Sequence, residues 1–236
     1  GVGVGCAAVR AALGGGATDA VDARAAWPEV PRTVARRGAL GLAPAVRAAV
    51  PAYRWPAQGD VFARKWLAAR GLVHGRYIVL GIGARFACKQ PTFEQILRWT
   101  AQFRDRWELP TVFLWTPGAI DAAFYRGDDA IAGRLLASEL PHVHPHRGTL
   151  AEALALIANA SASIMPDSGL MHFAAASRGG VVGLFADPGE TGAADRWGPI
   201  GVRARYLQVP NAVAEIPDDA VLAALAPLIE DSRAFA

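Results

Sequence analysis

Residues 167 to 172 read Asp-Ser-Gly-Leu-Met-His, and residue types in that order suit an anion. Asp167 or Ser168 can cap a helix starting here, and Gly169 lets a ligand approach the backbone. The amides of the first turn then point outward at the positive end of the helix dipole. A phosphate is the usual occupant of such a corner. His172 follows one turn on, where its imidazole can donate a hydrogen bond to the same anion, more strongly when protonated. The same letters also suit a plain N-cap and a packed histidine.

A second corner, Gly81 to Lys89, puts small residues after an apolar run, so that backbone amides can reach a phosphate and Lys89 can follow as a mobile point charge. Lys65 and Lys89 are the two lysines among 24 basic residues, which draws attention to this one. In a third corner, Thr116 to Asp129, an acidic residue entering a helix can accept hydrogen bonds from ribose hydroxyls or serve as an ordinary N-cap. Asp128 is the choice for the ribose, with Asp121 and Asp129 as alternatives. The fourth corner runs from His142 to Thr149 and includes Gly148. Its alternating histidines, 142, 144 and 146, would share one face of a strand, but zinc wants a fourth group that nothing nearby clearly supplies, and no metal is expected.

The elements that must hold these corners follow from hydrophobic periodicity. Ile164 to Phe185 reads as strand, turn, alanine-rich helix and strand, a single βαβ unit. Upstream, Tyr77–Gly81 is an apolar strand buried on both faces, Phe93–Trp107 an amphipathic helix, and Thr111–Trp115 the next strand. A helix over about 129–138, a short strand at 142–144 and a helix from Thr149 to Ala160 follow. Thr149 and Glu152 have the spacing of a capping box. Pro217 to Glu230 closes the chain as a helix. Strand and helix alternating in this way predict an α/β fold with a doubly wound parallel sheet, whose ligands sit beyond the carboxyl ends of the strands.

Before this region, residues 61–70 read as a helix ending at Gly71, with Phe62, Trp66 and Leu67 on one face. Prolines at 28, 31, 44, 51 and 56 make the preceding stretch a connection. The glycines of residues 1–16 lack the strand and the acidic residue of a dinucleotide fingerprint. The expected division is 1–72, a remnant of another domain with a linker, and 73–236, the doubly wound domain.

Composition narrows the class. Of the 236 residues 53% are hydrophobic and 19% charged, which fits a packed core and excludes disorder. No apolar run approaches the roughly 20 residues of a membrane span, and no signal peptide is visible. A cytoplasmic location is therefore expected, with Cys6 and Cys88 as free thiols. The net charge of +3 comes from scattered arginines. That pattern suits nucleotides or an anionic membrane face, and no nucleic-acid partner is expected.

Asp167 to Ala176, Val181-Val182-Gly183-Leu184-Phe185, Asp187-Pro188 and Trp197-Gly198-Pro199 together resemble the C-terminal signature of the bacterial heptosyltransferase family, glycosyltransferase family 9. The resemblance extends over roughly residues 60 to 230. It implies the GT-B architecture, two Rossmann-like domains facing across a cleft, with the nucleotide-sugar donor in the C-terminal one. The implied reaction is metal-independent, inverting transfer of a heptose from ADP-heptose to the lipopolysaccharide core or another glycan acceptor. It needs no cofactor and fits peripheral contact with the inner membrane. Carried over by position, Gly83, Ala84, Lys89, Asp167, Ser168, Gly169 and His172 would hold the donor diphosphate. Asp128 and the backbone around Gly148 and Thr149 would hold the nucleoside.

Two departures stand out. The family often has hydroxyl residues where this chain has Ala84 and Arg85. Family members also open with a strand and a Gly-Asp loop whose aspartate is the implied base, and Gly59-Asp60 does not take that role. The N-terminal domain is therefore expected to be incomplete in this sequence, with the base outside it. A catalytically inert nucleotide-sugar-binding module and a transferase acting on a protein remain as alternatives.

Overall fold

The computed structural model describes residues 53, 55–119, 127–189 and 193–233. The expectations for the glycine-rich opening, the proline-rich stretch before Tyr53, Cys6 and Asp121 lie outside the described residues. In chain order the elements are α1 (Ala57–Ala68), β1 (Ile78–Gly81), a 3-10 turn (Ala87–Lys89), α2 (Phe93–Trp107), β2 (Thr111–Leu114) and α3 (Asp129–Ala137). They continue with β3 (Val143–His146), α4 (Leu150–Ala158), β4 (Ala162–Pro166), α5 (Gly169–Ala175), β5 (Val181–Ala186) and α6 (Ala193–Trp197). The last are β6 (Ala204–Val209), a second 3-10 turn (Val213–Glu215) and α7 (Asp218–Arg233).

The six strands form one sheet in the order β3-β2-β1-β4-β5-β6, and every pair is parallel. Side chains on successive strand residues point to opposite faces, and β1 shows the consequence. Ile78 and Leu80 pack with Ile96, Trp99 and Phe103 of α2 and with Leu225 and Leu228 of α7. Tyr77, just before the strand, and Val79 join Leu154 to Ile157 of α4 and Met171 and Ala174 of α5 on the other side. All four residues of β1 are buried, as a strand covered on both faces requires.

The order places β1 beside β4 at the centre. The helix leaving β1 packs on one face of the sheet and the helix leaving β4 on the other. Their loops diverge, and a crevice opens at the carboxyl ends of the two strands. Both helices that flank the neighbouring loops begin with reciprocal caps. Thr92 exchanges hydrogen bonds with Gln95 at the start of α2, and Thr149 does the same with Glu152 at the start of α4.

Several boundaries differ from the sequence reading. β3 starts at Val143 and runs to His146, so His142 lies just outside it. The edge strand β6 was not expected, because arginines at 203 and 205 interrupt its apolar pattern. The helix α1 begins at Ala57 and buries Ala63 and Leu67 in the core beside α4. Cys88 is not a free thiol, which corrects the expectation for this residue. No helix among the described residues is long and apolar enough to cross a membrane.

Candidate functional site

A cavity of about 630 Å³ lies at the crevice, lined by the loop after β1 (Gly83, Ala84, Arg85), the end of β2 (Leu114, Trp115, Thr116), Leu150 of α4 and the β4–α5 corner from Met165 to Leu170. The two corners singled out in the sequence therefore share one site, though 78 residues apart. The contact that joins them is ionic: Lys89 Nζ donates to Asp167 Oδ2 at 2.5 Å, with both side chains about four-fifths buried.

Each corner is built by its backbone. Gly83 is required by close approach, since a Cβ there would stand 2.5 Å from Thr116 Oγ1. The 3-10 turn then carries the chain round to Lys89. On the opposite wall Ser168 occupies the N-cap position of α5 in an extended conformation, but its side chain makes no cap hydrogen bond. Asp167 does not cap the helix either, because its carboxylate faces Lys89. The expected side-chain cap is thus not made, and Ser168 and Gly169 line the cavity at the positive end of the helix.

His172 is exposed on α5, away from the oily interior. Desolvation by neighbouring protein holds its imidazole below the ordinary histidine value, against the opposing pull of the Asp167 carboxylate. At neutral pH it is a neutral ring with one N–H to donate.

The nucleoside candidates fall differently. Asp128 is 3% exposed and does not line the cavity. Its Oδ1 accepts from Gln90 Nε2 and its Oδ2 from the Thr116 amide at 3.0 Å, while Gln90 Nε2 also donates to the Ile82 carbonyl. Asp128 thus braces the loops beside the cavity. Asp129 braces the same loop: its carboxylate accepts from Trp115 Nε1 at 2.8 Å and from the Gly118 amide at 3.0 Å. These bonds, that of Trp115 first, hold it below the usual carboxylate range.

Gly148 sits in the turn between β3 and α4, where a Cβ would come within 2.6 Å of His146 Nε2. Thr149 is consumed by its cap, the amide donating to Glu152 Oε2 at 2.7 Å. The next residue, Leu150, is the one that reaches the cavity wall. Burial is the leading cause that lowers the basicity of His142, His144 and His146. Among the described residues no group of three or more His, Cys, Asp or Glu is placed to hold a metal ion.

Sequence reasoning did not select Trp115, Thr116, Leu150 or Phe173, although all four line the cavity. Trp115 and Thr116 directly follow a strand, which is the signal that would have found them. A second cleft, of about 740 Å³, runs between Trp55, Pro56 and the α4 residues Leu154 and Ala155. It does not include Asp167 or the start of α5.

The profile of glycosyltransferase family 9 (heptosyltransferase) matches residues 96–216, just over half of the chain, from α2 to the second 3-10 turn. The chain belongs to glycosyltransferase family 9. No curated protein gave a significant match. Among solved structures, a glycosyl transferase family 9 protein from Veillonella parvula is similar with TM-score 0.61 and 17% identity, over 90% of this chain and 63% of that one. E. coli ADP-heptose LPS heptosyltransferase II is similar with TM-score 0.56 and 19% identity, over 78% and 54%. E. coli heptosyltransferase WaaC with ADP gives 0.56 and 17%, over 83% and 53%. These likenesses establish the shared fold, and the chain spans little more than half the length of the two E. coli heptosyltransferases.

Proposed function

We propose that this chain holds the nucleotide-sugar donor of a glycosyltransferase, with ADP-heptose as donor and a lipopolysaccharide core or other glycan as acceptor. The observation that carries this reading is the meeting of Lys89 with Asp167 where the β1 loop faces the start of α5. The family supplies the reaction class and the crevice supplies its needs. Transfer with inversion breaks the bond between the anomeric carbon and a phosphate oxygen as the acceptor oxygen bonds from the opposite face. The departing diphosphate keeps the electron pair. Negative charge therefore grows on the phosphates, and fixed donors aimed there lower the barrier.

Lys89, the amides following Ser168 and the His172 N–H serve as those donors in this reading. The oxygens of Asp167 suit sugar hydroxyls while its charge orients the Lys89 ammonium. Trp115 and Leu150 give an apolar wall for the base, and the Thr116 hydroxyl a polar contact for the ribose. The acceptor proton goes to a base on the acceptor-side half of the enzyme, which works at the cytoplasmic face of the membrane.

Calorimetric titration of the chain with ADP, UDP, GDP and ADP-heptose tests the reading. ADP and ADP-heptose are expected to bind, and Lys89→Met to weaken both by about tenfold to a hundredfold, the range for losing a charge-assisted hydrogen bond. Binding of none of the four would remove the donor site. Binding of UDP or GDP in preference to ADP would keep the site and change the donor.

A further inference from the structure

Among the residues that line the cavity, two are ionisable, Arg85 and Asp167. Asp167 is already engaged with Lys89 at 2.5 Å, and that pair is formally neutral. A diphosphate entering the crevice therefore gains no net positive charge from it, and a neutral His172 adds none. Arg85 is exposed, follows β1 by four residues, and makes no side-chain hydrogen bond or ion pair with any described residue. Its guanidinium carbon lies 5.7 Å from the ring centre of Phe86, and Lys89 Nζ lies 5.9 Å from the same ring. Two cations thus lie near one exposed aromatic side chain, next in the chain to a residue that lines the cavity.

We propose that Arg85 is the donor-binding residue that supplies the net positive charge of this site, its guanidinium fork taking two oxygens of the donor's diphosphate. This rests on the donor-binding reading above and assigns a residue that reading leaves without a role. Of the three residues of this loop that line the cavity, Gly83 and Ala84 offer no polar side chain, so Arg85 is the one that can add a side-chain contact. A planar fork with five N–H donors matches a phosphate pair better than a point charge does. An arginine that no hydrogen bond or ion pair holds among the described residues reaches it without breaking such a bond.

The test is calorimetry on the full chain with inorganic pyrophosphate and with ADP, comparing wild type, Arg85→Gln and Arg85→Lys at low and high salt. Arg85→Gln is expected to weaken both ligands about tenfold or more, with the difference from wild type shrinking as salt rises. Arg85→Lys is expected to fall between the two. Thermal unfolding of Arg85→Gln should match wild type, because the side chain is exposed and makes no hydrogen bond or ion pair among the described residues. An Arg85→Gln protein that binds pyrophosphate and ADP as tightly as wild type overturns the assignment while leaving the donor site standing. A wild-type protein that binds neither ligand overturns the donor-binding reading, and this one with it.

Discussion

Asp128 carries the sharpest lesson at the scale of single residues. Its letters, an acid just before a helix, fit an N-cap slightly better than a ribose contact, and its carboxylate instead accepts bonds from within the protein. Its side chain makes no cap bond to α3. It holds Gln90 and the Thr116 amide together inside the protein. Gln90 lies 38 residues away in the chain, so no local pattern could have announced the pair. Asp128→Ala leaves a buried amide N–H and a side-chain amide short of an acceptor, and such groups cost about 1–3 kcal/mol each. The expected result is a loss of about 2–4 kcal/mol in urea unfolding, with bound nucleotide weakened only as far as the loop loosens. Wild-type stability together with abolished nucleotide binding would restore the ribose role. Lys89 and Asp167, also far apart in the chain, are brought into contact by the fold.

At the scale of elements, one cap read from the sequence is formed in full. Thr149 and Glu152 have the spacing of a capping box, and both of its hydrogen bonds are made. Since Leu150 stands on the cavity wall directly after the cap, the cap also sets one side of the site. Thr149→Ala is expected to cost about 1 kcal/mol in chemical unfolding, with Thr149→Ser close to wild type. Equal stability of the Ala and Ser variants would mean that packing against α1, not the cap, fixes the start of α4.

The buried strands were legible because their residues are apolar on both faces: Tyr77 to Leu80 leaves little other choice. So was α2, whose Ile96, Trp99 and Phe103 recur on one face. β6 was not legible. It pairs with β5 alone at the sheet's edge, and Arg205 and Gln208 sit half-buried among its apolar residues. A central strand must be apolar throughout, whereas an edge strand tolerates charge. Of the alternating histidines, His144 and His146 lie in β3 and His142 directly before it.

For the whole molecule, four histidines share one direction. Burial is the first cause that lowers His142, His144, His146 and His172 below 6.5. The unfolded chain then binds more protons than the native one between the native values and 6.5, so stability rises with pH across that window. The melting temperature is expected to hold above about pH 7 and to fall as pH is lowered through 6.5 toward 5. A melting temperature that rises on acidification over this range would contradict the desolvation of these rings.

The central claim is one of place: the phosphates of a nucleotide sit between the loop after β1 and the start of α5, at the middle of the parallel sheet. A crystal structure of the chain with ADP tests it most directly. The account expects the diphosphate within hydrogen-bonding distance of Lys89, Arg85 and the amides following Ser168, with the base against Trp115 and Leu150. Well-ordered ADP bound elsewhere, such as in the apolar cleft between Trp55 and Leu154, with the β1–β4 crevice empty, would contradict it.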